Sequence, residues 1–156
     1  MITVDIPGYR IFRLHHLVLD VNGTIAKDGM LIEEAATLLE KIRPSLDIHL
    51  VTADTHGRQE AINKELDIQA VIIPQENQVQ AKLDYIERLG LETVVAMGNG
   101  ANDAAMLEHA ALGIAVIGPE GAATETMFKA KIVTFDIQSA LELLLYPKRL
   151  MATLRR

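Results

Sequence analysis

Several polar residues stand out because each follows an apolar run. Asp20 ends the run Leu17-Val18-Leu19, and Asn22-Gly23-Thr24 follow at once. Thr52 ends a second run, in VTADT, and Asn99, Asn102 and Asp103 follow a third, in GNGAND. Lys82 lies near the start of the segment that precedes that third run. Taken alone, Asp20 is equally well read as a turn residue, since aspartate commonly starts turns. Taken together, two carboxylates, a hydroxyl and an ammonium suit a phosphate group. Free N–H groups and the positive dipole end of nearby helices suit it too. Two oxygen ligands also suit Mg²⁺, which takes one or two carboxylates and keeps several waters.

This chemistry requires one sheet edge to gather residues far apart in sequence. The pattern supplies one. Apolar runs at 14–20, 48–52, 70–73, 93–97, 112–117 and 131–135 read as buried strands. Between them, helical spacing or helix start and stop signals predict helices. The first carries Leu31, Ile32, Ala35, Leu38, Leu39 and Ile42 and ends at Pro44; others span 56–66, 102–110 and 122–129. Asn77 is positioned to cap a helix carrying Val79, Leu83, Ile86 and Leu89, with Lys82 near its start and Gly90 as its stop. One closing helix is predicted from 137 to about 154. Residues 2–13 read as a strand, a Pro7-Gly8 turn and a return, and 25–30 as a small hairpin or flap around Asp28-Gly29. Strands alternating with helices make a parallel sheet covered on both faces. Strand ends and helix starts then share one edge, where ligands bind.

In this order, DVNGT, VTADT, the Lys82 helix and GNGANDAAML resemble the haloacid dehalogenase (HAD) superfamily over roughly residues 14–145. Residues 82–130 are most similar to the phosphorylation domain of P-type ATPases, with its GDGxNDxxxL signature. The resemblance implies an α/β fold, a three-layer α/β/α Rossmann-like domain with a mostly parallel sheet. It implies that Asp20 is the nucleophile of an aspartyl-phosphate mechanism. Thr52 with the adjoining Ala53, Lys82 and Asn102 would contact the phosphorylated substrate. Asp20, the backbone carbonyl of Asn22, Asn99 and Asp103 would hold Mg²⁺. Two positions depart from the pattern. Phosphatases of the family usually carry aspartate where Asn22 stands, as general acid and base; the amide cannot transfer that proton. Asn99 replaces a metal carboxylate. The expectation is a slow Mg²⁺-dependent phosphohydrolase that favours good leaving groups. The alternative is a regulatory module that binds phosphate or metal with little turnover.

The 156 residues are expected to form a single domain, with no insertion long enough for a cap over the site. An open site and an apolar composition, 49% hydrophobic, point to a homo-oligomer. A net charge of −6 excludes a nucleic-acid surface, which needs Lys and Arg against phosphates. No apolar run reaches membrane-spanning length, and the N-terminus lacks the zones of a signal peptide, so a cytoplasmic location is expected. There is no cysteine and hence no disulfide frame. Gly98 and Gly100 fall short of a dinucleotide loop, because its last glycine position is Asp103. His15 and His16 read as strand residues rather than ligands, and His49, His56 and His109 show no ligand spacing. Leu141, Leu143, Leu144 and Leu145 read as core, and Lys148, Arg149, Arg155 and Arg156 as a solvated helix end.

Overall fold

A computed structural model describes residues 1–54 and 57–156. Thr55 and the expected helix start at His56 lie outside the described residues.

The chain opens with a hairpin, β1 (Ile2–Ile6) and β2 (Arg10–Leu14), with Ile2 opposite Leu14. Strict alternation puts Val4, Ile6, Phe12 and Leu14 in the core and Thr3, Asp5, Ile11 and Arg13 in water. The strand β3 (His16–Asp20) follows, then a small hairpin of β4 (Ala26–Lys27) and β5 (Met30–Leu31) turning at Asp28-Gly29. The rest alternates: α1 (Glu33–Ile42), β6 (Asp47–Thr52), α2 (Gln59–Leu66), β7 (Val71–Ile72), α3 (Gln78–Leu89), β8 (Val94–Gly98) and α4 (Ala104–His109). Then come β9 (Leu112–Val116), α5 (Thr124–Lys129), β10 (Ile132–Thr134), α6 (Ile137–Leu145) and α7 (Pro147–Leu154).

Six strands form one parallel sheet in the order β10-β9-β8-β3-β6-β7. Two cores sandwich it. Leu17 and Leu19 of β3 face a core shared with Leu39 and Ile42 of α1, Leu66 of α2 and Leu141 and Leu144 of α6. Val18 faces the other way, against Ile86 of α3 and Met106 and Leu107 of α4. Burial on both faces is why β3 reads as an unbroken apolar run. The chain leaves β3 toward β6 and β7, then crosses back to β8 on the other flank. This reversal opens a crevice beyond the carboxyl end of β3, the usual ligand position in such a sheet.

Five expectations need correction. The closing helix is two helices, α6 and α7, broken at Pro147, which has no N–H to give and would clash with a preceding carbonyl. Pro147 instead opens α7, so Lys148 and Arg149 lie at its start, not at a helix end. Asn77 does not cap α3 with its side chain; it is left-handed, φ 56°. Leu31 belongs to β5 and α1 begins only at Glu33, because the Ile32 N–H bonds back to the Ile25 carbonyl (2.9 Å). The expected helix at 102–110 splits into a 3-10 turn, Ala101–Asp103, and α4. The core reading of the leucine run holds: Leu141 and Leu144 are buried, and Leu143 and Leu145 pack against them.

Candidate active site

The site is built from three strand ends and one helix. Asp20 closes β3, and the chain turns at once: Thr24 and Ile25 donate back to the Val21 carbonyl (3.2 and 3.0 Å). Gly23 makes that turn possible at φ 80°, and a Cβ there would strike the Asn99 side chain. The turn returns the Thr24 hydroxyl to Asp20. Its Oγ1 lies 3.2 Å from Asp20 Oδ2 and 3.3 Å from Asn99 Oδ1, so one hydroxyl proton faces two acceptors.

Lys82 projects from α3 into this layer and is 1% exposed. Its ammonium donates to Asp20 Oδ1 at 2.7 Å and to Asp103 Oδ1 at 2.6 Å. The second oxygen of Asp103 accepts from the backbone N–H groups of Asn99 (3.0 Å) and Gly100 (2.9 Å). The GNGAND turn therefore curls around its own carboxylate. Gly98 is required there, since a Cβ would lie 2.5 Å from the carboxyl carbon of Asp103. The Asn99 amide is tied at both ends: Nδ2 donates to the Gly121 carbonyl (3.0 Å), which leaves Oδ1 toward Thr24.

Two buried carboxylates share one ammonium, so one negative charge is uncompensated. Burial, reinforced by Asp103 and opposed by Lys82, pushes the Asp20 carboxyl up to about 7. Burial works against the Lys82 charge, but Asp20 and Asp103 outweigh it and hold the ammonium well above its ordinary range.

Asp20, Asn22, Thr52, Ala53, Asn99 and Asn102 all line one cleft of about 220 Å³. Lys82 and Asp103 do not line it; they stand behind Asp20. Asp103, expected beside a metal, has both oxygens engaged within the protein. Thr52 Oγ1 accepts from the Asp54 N–H at 3.0 Å, and among the described residues its own proton has no acceptor. Gln78, Gly100 and Glu120 also line the cleft and were not anticipated. Thr24 was read only as a turn residue. Its signal was a hydroxyl one turn after the strand-end carboxylate.

The oxygens of Asp20, Asn22 and Asn99 at the cleft are donors of the hard kind that Mg²⁺ takes, with one carboxylate among them. Among the described residues no group of three His, Cys, Asp or Glu is placed to hold a metal ion.

A buried acid–lysine cluster at the carboxyl edge of a doubly wound parallel sheet defines a Rossmann-like α/β protein. A family model described as haloacid dehalogenase-like hydrolase matches residues 77–134. An uncharacterised protein of Methanocaldococcus jannaschii is 48% identical over 79 residues, 48% of this chain and 85% of that protein. A probable copper-exporting P-type ATPase of Archaeoglobus fulgidus is 34% identical over 108 residues, 68% of this chain but 13% of the transporter. Among solved structures, the 3-deoxy-D-manno-octulosonate 8-phosphate phosphatase of Moraxella catarrhalis, in complex with magnesium, phosphate and the KDO molecule, superposes with a TM-score of 0.70. It is 19% identical, with 91% of this chain and 94% of that one covered. Residues 77–134 thus belong to the haloacid dehalogenase-like hydrolases, and the fold of the chain is that of the same group. No helix among the described residues is long and apolar enough to cross a membrane.

Proposed function

We propose that this chain is a Mg²⁺-dependent phosphohydrolase that works through an aspartyl-phosphate on Asp20, slowly and with a preference for good leaving groups. The observation that carries the reading is the Asp20–Lys82–Asp103 cluster beneath a polar cleft. Lys82 holds one oxygen of Asp20 and leaves the carboxylate at the cleft floor to attack phosphorus. Thr52 and the backbone at Ala53 hold the phosphoryl oxygens, with Asn102 on the rim. Asp103 positions Lys82. Asp20, the Asn22 carbonyl and Asn99 would hold Mg²⁺, with Asp103 behind them, and the site would then gain neutralisation of phosphate charge and a preference for ionised Asp20. Catalysis of this type is positioning and charge neutralisation. Asn22 lines the cleft but has no proton to give or take, so a departing alkoxide goes unprotonated. General acid–base help of this kind is worth roughly 10²–10⁴-fold. Acyl and aryl phosphates do without it.

The same reading makes residues 1–156 a single domain without a cap; only the β4–β5 hairpin stands between Asp20 and α1. Phe128 and Phe135, 86% and 82% exposed, support self-association of the chain, which light scattering across a concentration series tests. A second reading, a module that binds phosphate or metal without turnover, is favoured by Asn22 and Asn99. One experiment separates the two. Acetyl phosphate and p-nitrophenyl phosphate are offered with Mg²⁺ or EDTA, and the protein is examined for a phosphate adduct labile to hydroxylamine. Mg²⁺-dependent release and an adduct, both lost in Asp20→Asn, support the enzyme. Binding of phosphate with neither release nor adduct selects the module.

A further inference from the structure

Beside the catalytic cleft lies a groove of about 660 Å³, and the two share Gln78 and Asn102. The volume accommodates a ligand of several carbons. Its polar lining is all amide: Gln75, Asn77, Gln78, Gln80 and Asn102, and none of the described residues that line it is charged. Three of these amides are built into one wall. Asn102 Nδ2 donates to Gln78 Oε1 (2.6 Å), Gln78 Nε2 to the Gln75 carbonyl (3.1 Å), and Gln75 Nε2 to the Ala53 carbonyl (2.7 Å). The wall thus runs from the strand end that carries Thr52 to the turn that carries Asp103. Asn77 and Gln80 stand further out along it.

We propose that this groove receives the leaving group and selects neutral, polyhydroxylated phosphate esters over anionic or apolar ones. The inference rests on the phosphohydrolase reading above and adds the substrate class. The wall's own bonds, and Gln80 Nε2 donating to Asp84 Oδ1 (2.6 Å), engage part of four of the amides. Their second N–H groups and the oxygens of Gln80 and Asn102 supply the donors and acceptors that vicinal hydroxyls need. A second phosphate or a carboxylate calls for Arg or Lys, and the groove provides neither. Among the described residues, the one charged side chain lining the cleft beside Asp20 is Glu120, which repels a second anion. An alkyl chain would cover the amides without satisfying them. Selection acts on binding, and departure of the alkoxide stays slow because of Asn22.

The test is calorimetry on the full chain with Asp20→Asn, which keeps each ester intact, in Mg²⁺. Three six-carbon phosphates are compared: glucitol 6-phosphate, 6-phosphogluconate and n-hexyl phosphate, with inorganic phosphate as the reference. Glucitol 6-phosphate is expected to bind about tenfold tighter than either of the others, the worth of one or two hydrogen bonds. Adding Asn77→Gly and Gln80→Leu should bring its Kd, relative to that of inorganic phosphate, close to the hexyl phosphate value. Glycine keeps the left-handed backbone at position 77. Gln80→Leu alone, on an exposed helix position, should give part of the loss and guards against a folding defect in the double change. Equal affinity for the three esters, a preference for 6-phosphogluconate, or a preference that survives the double change overturns the groove assignment. Failure of the phosphohydrolase reading looks different: wild-type protein shows no hydrolysis that depends on Asp20, while the glucitol preference persists.

Discussion

Replacing Lys82 with methionine removes the ammonium and keeps a chain of similar length. Asp20 and Asp103, 7% and 0% exposed, then share a buried space with no cation. Removing one partner of a buried ion pair costs about 3–5 kcal/mol. A second route gives a similar figure. Lys82 makes two charge-assisted hydrogen bonds of 2.7 and 2.6 Å, and such bonds are worth about 1.5–3 kcal/mol each. The loss is a large part of the total stability of a domain, about 5–15 kcal/mol. It also has a signature in pH. Without the ammonium that opposes it, burial holds the proton on folded Asp20 still more firmly, whereas the unfolded chain releases it near 3.8. Folded protein then carries more protons than unfolded protein above that value, so stability falls as pH rises. The wild type shows a milder form: Asp20 at about 7 makes stability decline between about pH 4 and pH 7 in EDTA. Urea unfolding of both proteins in EDTA, from pH 5 to pH 8, measures the difference. The deficit of Lys82→Met should widen with pH. A deficit below about 1 kcal/mol, or one that does not change with pH, refutes the assignment of Lys82 as the counter-ion of two buried carboxylates.

Asn22→Asp should raise turnover of alkyl phosphates by up to about 10²–10⁴-fold and acetyl phosphate far less, read as the change in kcat across a leaving-group series. Asn99→Asp sets a carboxylate oxygen against the Gly121 carbonyl in place of the present 3.0 Å hydrogen bond, so it should cost about 1–3 kcal/mol in EDTA. The same change should tighten Mg²⁺ binding in calorimetry, and part of the lost stability should return as Mg²⁺ is added. Burial and the neighbouring His16 hold the His49 imidazole below its usual 6.5, against Asp47. The stability it contributes is therefore complete above about pH 6.5 and lost as acidity increases, and wild type minus His49→Gln in urea unfolding should show that loss.

The sheet was legible because β3, β8 and β9 are covered on both faces and read as nearly unbroken apolar runs. The residues of the site were legible for a related reason. In a parallel sheet the strand ends share an edge, so Asp20, Thr52 and Asn99 had to meet once the strands were placed. What the sequence left open was direction. Nothing in GNGAND says that Asp103 turns inward to Lys82 and to its own turn instead of toward the cleft; that follows from the tight 3-10 geometry at Ala101–Asp103. The break at Tyr146 was readable in principle, because Pro147 stands in plain sight within the leucine periodicity. Periodicity overrode it in the sequence reading, and the proline prevails in the fold because a missing N–H cannot be compensated by packing. Gln78 and Glu120 had no sequence signal, since each reaches the cleft from an element whose own pattern is ordinary.

The Thr24 hydroxyl works as a rotor with one proton and two stations. Pointed at Asp20, it satisfies an ionised carboxylate and leaves the Asn99 amide oxygen with a lone pair to offer. Pointed at Asn99, it accepts from a protonated Asp20 and withdraws that lone pair. Charge on the strand-end aspartate and availability of the amide oxygen are thereby linked through an O–H bond that only has to swing. A cation arriving at the cleft meets the amide oxygen free when the aspartate is ionised. Thr24→Val would disconnect the two while filling the same space.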